Sequence, residues 1–320
     1  MRQVGQDDSP KSVPSLVAAS QRRAFAALAG FGAVALWETW ASLFPPKISD
    51  RDVRAVAERV RSAHTPGELI VVTPLWLSPL FRRELGDLMP AEHLGRADSR
   101  RFAKITEIAL GARRSEEMDA LSVEGEQRLG PFRLRRYEQT PVTVGFDLTD
   151  HFLDATVSQS VPGSVADELP CLWLGPLPSP RPEQGAMGGF VCERTRVERR
   201  TMEIDYKPRR GIVTELSSGQ RTILRFSIPD EAWRGTLHLW LGHHDYHQRK
   251  QAVGSAFVIA NLDEGQVKQQ IRVEINQDFL LHKVPLPTTA MKRDVHYLRL
   301  ELFAEQAAHH FVGLHAELRQ

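Results

Sequence analysis

Hydrophobic positions fall into three regimes along this chain. From Ala24 to Phe44 they are continuous, AFAALAGFGAVALWETWASLF, with no charge until Glu38. A helix over that span rises about 30 Å, the depth of a bilayer core. Trp37, Trp40 and Phe44 crowd its end as interfacial aromatics do, and Pro45-Pro46 stops it. From Asp50 the period becomes helical, with Val53, Val56, Ala57 and Val60 on one face, Ser49 as cap, and His64-Thr65-Pro66-Gly67 as the break. Glu68 to Thr73 is a continuous apolar run, expected to be a strand buried on both faces. A helical stretch is predicted over Arg96 to Lys104, then strands over Ile105 to Leu110, Phe132 to Tyr137 and Val142 to Leu148. Helices alternating with strands predict a small α/β layer structure.

From Thr201 onward the period is two. Strands are expected over Met202–Tyr206, Gly211–Leu216, Thr222–Ile228, Thr236–Leu241, Ala256–Asn261, Val267–Ile275, Val295–Phe303 and Phe311–Leu318. Short alternating strands between turn residues predict an antiparallel β-sandwich. The expected fold is therefore α+β and multidomain. It has a cytoplasmic tail (1–23), a transmembrane signal anchor (24–44), a small α/β domain (47–155), and a loop followed by a jelly-roll-like sandwich (165–320).

Charge and cysteine content sharpen this picture. The 41 basic and 40 acidic residues leave a net charge of +1, which removes the electrostatic case for a dedicated nucleic-acid binder. Arg22 and Arg23 precede the apolar run, and positive-inside logic keeps that end cytoplasmic. The expected location is the inner membrane, single-pass, with the later domains periplasmic. A buried or interfacial helix is the alternative. Cys171 and Cys192 flank a Pro- and Gly-rich stretch. They are two unrelated thiols or, as export favours, a disulfide whose loop closure contributes about 3 kcal/mol.

Candidate chemistry sits in two places. Ligand sites of α/β sheets lie beyond the carboxyl ends of strands. The segment leaving the first strand, 74–87, carries Trp76, Arg82, Arg83, Glu84 and Asp87. An arginine fork suits phosphate or carboxylate, a Trp face suits a sugar ring, and Glu84 with Asp87 would be the acids of a carbohydrate-active enzyme. No G-x-G-x-x-G or Walker sequence occurs, and no cofactor is implied. The second place follows the Thr236–Leu241 strand. There His243 and His247 are candidate metal ligands, and Trp240, Asp245, Tyr246 and Arg249 candidate sugar contacts. Plain polar loop residues are the alternative to both. Glu193 to Arg210 is rich in basic residues, a solvated strand or a surface for anionic lipid.

The pattern His64-x-Pro66-Gly67-Glu68-x-Ile70-Val71-Val72-x-Pro74-x-Trp76-x-x-Pro79 after a membrane helix looks like extracytoplasmic regions associated with GT-C glycosyltransferases. That class includes the aminoarabinose-transferase and protein-mannosyltransferase relatives. The pattern also resembles membrane-anchored bacterial envelope proteins of unknown function, and the C-terminal part resembles carbohydrate-binding jelly-rolls. GT-C enzymes have many spans and an acidic loop between early ones, so no catalytic carboxylate carries over to a single-span chain. The resemblance implies a setting near envelope glycans or lipid-linked sugars. With the anchor, the sandwich and no recognisable catalytic constellation, the expectation is a non-enzymatic accessory protein that binds a glycan, a lipid-linked sugar, or a membrane glycosyltransferase or assembly complex. A carbohydrate-active enzyme is the alternative.

Overall fold

Alternation along the C-terminal strands decides the architecture. In a computed structural model of the protein, the described residues are 48–160, 168–175, 188–193, 195–244, 256–262, 269–275, 278–286, 294–305 and 310–320. The apolar run Ala24–Phe44 lies outside them. Among them, no helix is long and apolar enough to cross a membrane. Asp50–Gln320 forms one compact unit.

Its N-terminal lobe opens with α1 (Asp50–Ala63), which buries Val53, Val56, Ala57 and Val60 as the spacing predicts. A four-stranded sheet follows, ordered β1 (Leu69–Thr73), β2 (Lys104–Leu110), β4 (Phe132–Glu138) and β3 (Gly125–Leu129). β1 and β2 are parallel and the other pairs antiparallel. Segment 74–87, expected as a loop, is mostly helical. A 3-10 turn at Leu75–Leu77 leads into α2 (Ser78–Leu85), with Pro79 in its first turn where the missing N–H costs nothing. A short α3 (Ala91–Leu94) follows. The helix expected over Arg96–Lys104 is not there. Arg100 N donates to Asp98 Oδ1 (3.1 Å) and Phe102 N to Ser99 O (3.1 Å), so an Asx turn takes the backbone groups a helix would need.

The sandwich has two antiparallel sheets. One contains β5 (Val144–Asp147), β8 (Leu172–Trp173), β9 (Gly189–Val191), β10 (Arg196–Ile204), β11 (Lys207–Leu216), β13 (Thr236–His243), β16 (Leu280–Pro285) and β18 (His310–Arg319). The other contains β6 (Thr156–Ser160), β7 (Leu169–Pro170), β12 (Arg221–Pro229), β14 (Ala256–Leu262), β15 (Gln269–Ile275) and β17 (Val295–Ala304). Every second residue faces the core between them: Leu237, Leu239 and Leu241 on β13, Leu314, Ala316 and Leu318 on β18, against Leu224, Phe226 and Ile228 on β12 and Leu298, Leu300 and Leu302 on β17. Because β5 and β6 already belong to these sheets, the sandwich begins at Val144 and not near 165. β16 was not expected either. Leu280-Leu281-His282-Lys283-Val284 alternates poorly, and its place at a sheet edge asks little of its outer face.

Cys171 and Cys192 are bonded, as export favours. They join the β7–β8 connection to the end of β9, so loop closure holds the short strands β8 and β9 in register.

Candidate functional site

The carboxyl end of β1 opens into a cleft of about 240 Å³. Its floor is Ile70 to Thr73, one side is Leu75 and Ser78 from the helical segment that follows, and another is the Arg114–Glu117 loop. The remaining side comes from the sandwich, through Lys207, Pro208 and Arg209 of β11. The β10–β11 turn that presents them is made by Asp205 (φ 52°) and Tyr206 (φ 54°), both left-handed, between the paired Ile204 and Lys207. A two-residue turn of that hand matches strand twist and fixes the hairpin tip. Tyr206 is 68% exposed there, and Trp76, between the lining Leu75 and Ser78, is 60% exposed. The space suits one sugar ring or a similar small molecule more than a long oligomer.

Buried charge supports the loop opposite. Glu107 is fully buried on β2 and accepts from Arg135 Nη1 (3.0 Å), Tyr137 Oη (2.8 Å) and the Ser115 backbone N (2.6 Å). Burial, with Glu107 beside it, pushes the Tyr137 phenol up to about 12, so it stays a donor. Arg96 Nη2 pairs with Glu117 at 2.7 Å and Lys207 Nζ with Glu116 at 3.3 Å. Arg114 donates to the carbonyls of Met118 and Leu121.

Of the residues expected on 74–87, none lines the cleft, and Trp76 follows the lining Leu75 in sequence. Arg83 pairs with Asp50 (2.9 Å) and Glu84 (3.0 Å), and Asp87 with Arg61 (3.0 Å). These exposed pairs staple α2 to α1. Arg61 holds the Asp87 carboxyl below the usual carboxylate range, the reverse of what a general acid needs. Arg82, partly buried on α2, does not line the cleft either. Glu84 thus pairs with its neighbour Arg83 on α2 and Asp87 with Arg61 on α1, a correction to their reading as a catalytic pair.

Trp240 is also corrected. It is 3% exposed, with the Arg319 guanidinium 4.7 Å from its ring, and offers no platform to a sugar. His243 is buried, with Nε2 at 3.0 Å from the Ile275 carbonyl. Asp245, Tyr246, His247 and Arg249 lie outside the described residues.

A second cluster had no sequence signal. Asp147, His315 and Glu317 bring three potential ligand atoms within 4.8 Å of one another. Their lone pairs are already used. Arg319 Nε donates to Glu317 Oε2 (2.9 Å), His315 Nε2 lies 2.7 Å from Oε1, and Arg101 bridges Glu317 (2.8 Å) and Asp147. Thr149 Oγ1 meets His315 Nδ1 at 3.0 Å. Arg319 also grips Asp98 with two 2.9 Å bonds. Two guanidiniums in place oppose a cation, so the cluster is a clasp between Asp98 and Arg101 of the lobe and β5 and β18 of the sandwich.

The motif His64–Pro79 is likewise structural over its first half. Glu68 is nearly buried, accepts from Thr65 N (2.9 Å) and Thr106 Oγ1, and lies 3.5 Å from His64 Nδ1. Gly67 (φ 80°) supplies the left-handed residue of that turn.

No family model and no curated protein matches the chain. Solved structures with partial likeness include TmCBM61 in complex with β-1,4-galactotriose, at 8% identity, 40% of this chain and 88% of that one, with a TM-score of 0.27. CBM51 from Clostridium perfringens GH95 in complex with methyl-galactose shares 14% identity over 37% of this chain and 78% of that one, with a TM-score of 0.25. A carbohydrate-binding module of the β-sandwich superfamily shares 9% identity over 61% and 69%, with a TM-score of 0.32. At such scores these likenesses carry no ligand across, and the sandwich assignment rests on the strand pairing itself.

Proposed function

We propose that the protein is an accessory protein that binds a glycan in the cleft at the carboxyl end of β1. The observation that carries this reading is the joining, in one sugar-sized cleft, of guanidinium and hydroxyl donors, with the exposed Trp76 and Tyr206 next in sequence to its lining residues Leu75 and Lys207. Rings cover the apolar face of a sugar, and fork donors read its oxygens. On a panel of immobilised envelope polysaccharides, the full-length protein in mild detergent is expected to be retained by at least one class. Trp76→Ala or Tyr206→Ala is expected to weaken that retention about tenfold, the size of one lost stacking contact. Retention by no class, or retention indifferent to both substitutions, would contradict the proposal.

The setting is part of the same proposal. The apolar run Ala24–Phe44 and the arginines before it support a single-pass inner-membrane anchor with the sandwich periplasmic. The motif ending at Pro79 supports a link to lipid-linked sugar, with a membrane glycosyltransferase or assembly complex as partner. Glu38 is the residue the span offers to a partner helix. A periplasm-dependent reporter fused after Gln320 is expected to be active, and a reporter active only in the cytoplasm would overturn the anchor topology.

A further inference from the structure

We propose that the ligand of this cleft is an acidic sugar, its oxyanion seated between Arg209, Arg96 and the first turn of α2 at Ser78; this rests on the glycan-binding reading of the same cleft.

The charges do not balance without such a ligand. Arg96 and Lys207 have carboxylate partners, but Arg209 has none. Its Nη1 donates to the carbonyls of Arg96 (2.9 Å) and Ala97 (3.2 Å), its guanidinium lies 5.0 Å from the Phe279 ring, and among the described residues no carboxylate comes within 4.0 Å of it. Its Nε, like that of Arg96, is buried with no hydrogen-bond partner. Desolvation pushes the Arg209 guanidinium below its ordinary range, with Arg96 adding to the effect and Glu117, Asp205 and Asp98 opposing it. Removing charge from water without a partner is costly, and an anionic ligand removes that cost.

An independent observation points to the same place. Ser78 is 6% exposed, lines the cleft, and its Oγ has no hydrogen-bond partner. A buried hydroxyl left unpaired is unusual in a folded protein. Ser78 opens α2, and its own N–H is taken by the Leu75 carbonyl, so the hydroxyl is the donor this turn offers to an oxyanion. Carboxylate, phosphate and sulfate share this chemistry: oxygens that accept from a guanidinium fork and a hydroxyl together.

Titration calorimetry of the full-length protein in mild detergent tests the inference. The probes are a neutral hexose, the matching uronic acid, its 6-phosphate and 6-sulfate, and inorganic phosphate. At least one acidic sugar is expected to bind ten or more times tighter than the neutral hexose, with the margin shrinking as salt rises. Arg209→Gln should abolish most of that margin, and Ser78→Ala should reduce it by a smaller factor. Both variants should lose more affinity for the acidic sugar than for the neutral hexose, so that the acidic-to-neutral ratio falls, and the thermal midpoint of Arg209→Gln should not fall. The three acidic sugars identify which oxyanion is taken. Equal affinity for neutral and acidic sugars would overturn the acidic preference and leave the glycan reading standing. Binding of inorganic phosphate lost in Arg209→Gln, with no sugar bound, would uphold the anion seat and overturn the glycan reading. No binding of any probe would overturn both.

Discussion

Replacing Glu317 with Ala is expected to lower the unfolding free energy by about 3–5 kcal/mol, the usual loss when one partner of a buried ion pair is removed. Glu317 is fully buried. It accepts from Arg319 and Arg101 and meets His315, and these groups hold its carboxyl down to about 2 even though burial alone would raise it. Without it, Arg319 keeps Asp98 as its carboxylate partner and His315 loses the acceptor at its Nε2. Glu317→Gln keeps the shape and one acceptor and should fall between the two. Urea unfolding measures all three proteins. A loss below 1 kcal/mol for Glu317→Ala would show that the clasp does not hold lobe and sandwich together.

Acid is expected to unfold the protein in two stages. His238 and His243 are both held down to about 4, chiefly by burial, with Arg319 and Lys283 adding to the effect on His238 and His310 on His243. The unfolded chain takes those protons near 6.5, so it binds more protons than the native state between pH 6.5 and 4. Stability is therefore intact above pH 6.5 and falls through that window, by up to about 1.4 kcal/mol per pH unit for each histidine. Glu317 acts lower. Its folded pKa is depressed from 4.5 to about 2, so its contribution is present above pH 4.5 and is lost as pH falls through 2. His238→Phe should flatten the first stage by one group's share and leave the second unchanged. A midpoint in urea that stays flat from pH 7 to 4 would contradict the burial of both rings.

β18 shows how much the sequence disclosed and where it stopped. Its alternation placed Leu314, Ala316 and Leu318 in the core, which is correct because the period of a strand is two. The same alternation gives no sign that His315, Glu317 and Arg319 are buried. The N-terminal lobe covers that face, and no local pattern encodes which surface another lobe will occupy. Trp240 on β13, expected as a sugar contact, is buried on the same face. The expected helix over Arg96–Lys104 failed through a short-range competitor, the Asp98 turn, whose aspartate is then committed to Arg319.

The site was half legible. The strand-end rule located the cleft at the exit of β1, and Trp76 follows its lining residue Leu75 in sequence. Arg82, Arg83, Glu84 and Asp87 follow in sequence but turn away because the segment is helical and presents them on a different side. Ser78 gave no signal, since a serine before proline is ordinary. Lys207 and Arg209 gave one signal, the basic excess of Glu193–Arg210, without any hint that the hairpin reaches the other lobe.

Hydrogen exchange of the full-length protein, with and without a saturating glycan selected from the panel, tests the central claim most directly. The account predicts slower exchange on addition of glycan in three separated segments together: Leu75–Leu85, Arg113–Met118 and Tyr206–Arg210. Protection confined to the open face of the β12–β14–β17 sheet, with these three segments unchanged, would place the ligand elsewhere and contradict it.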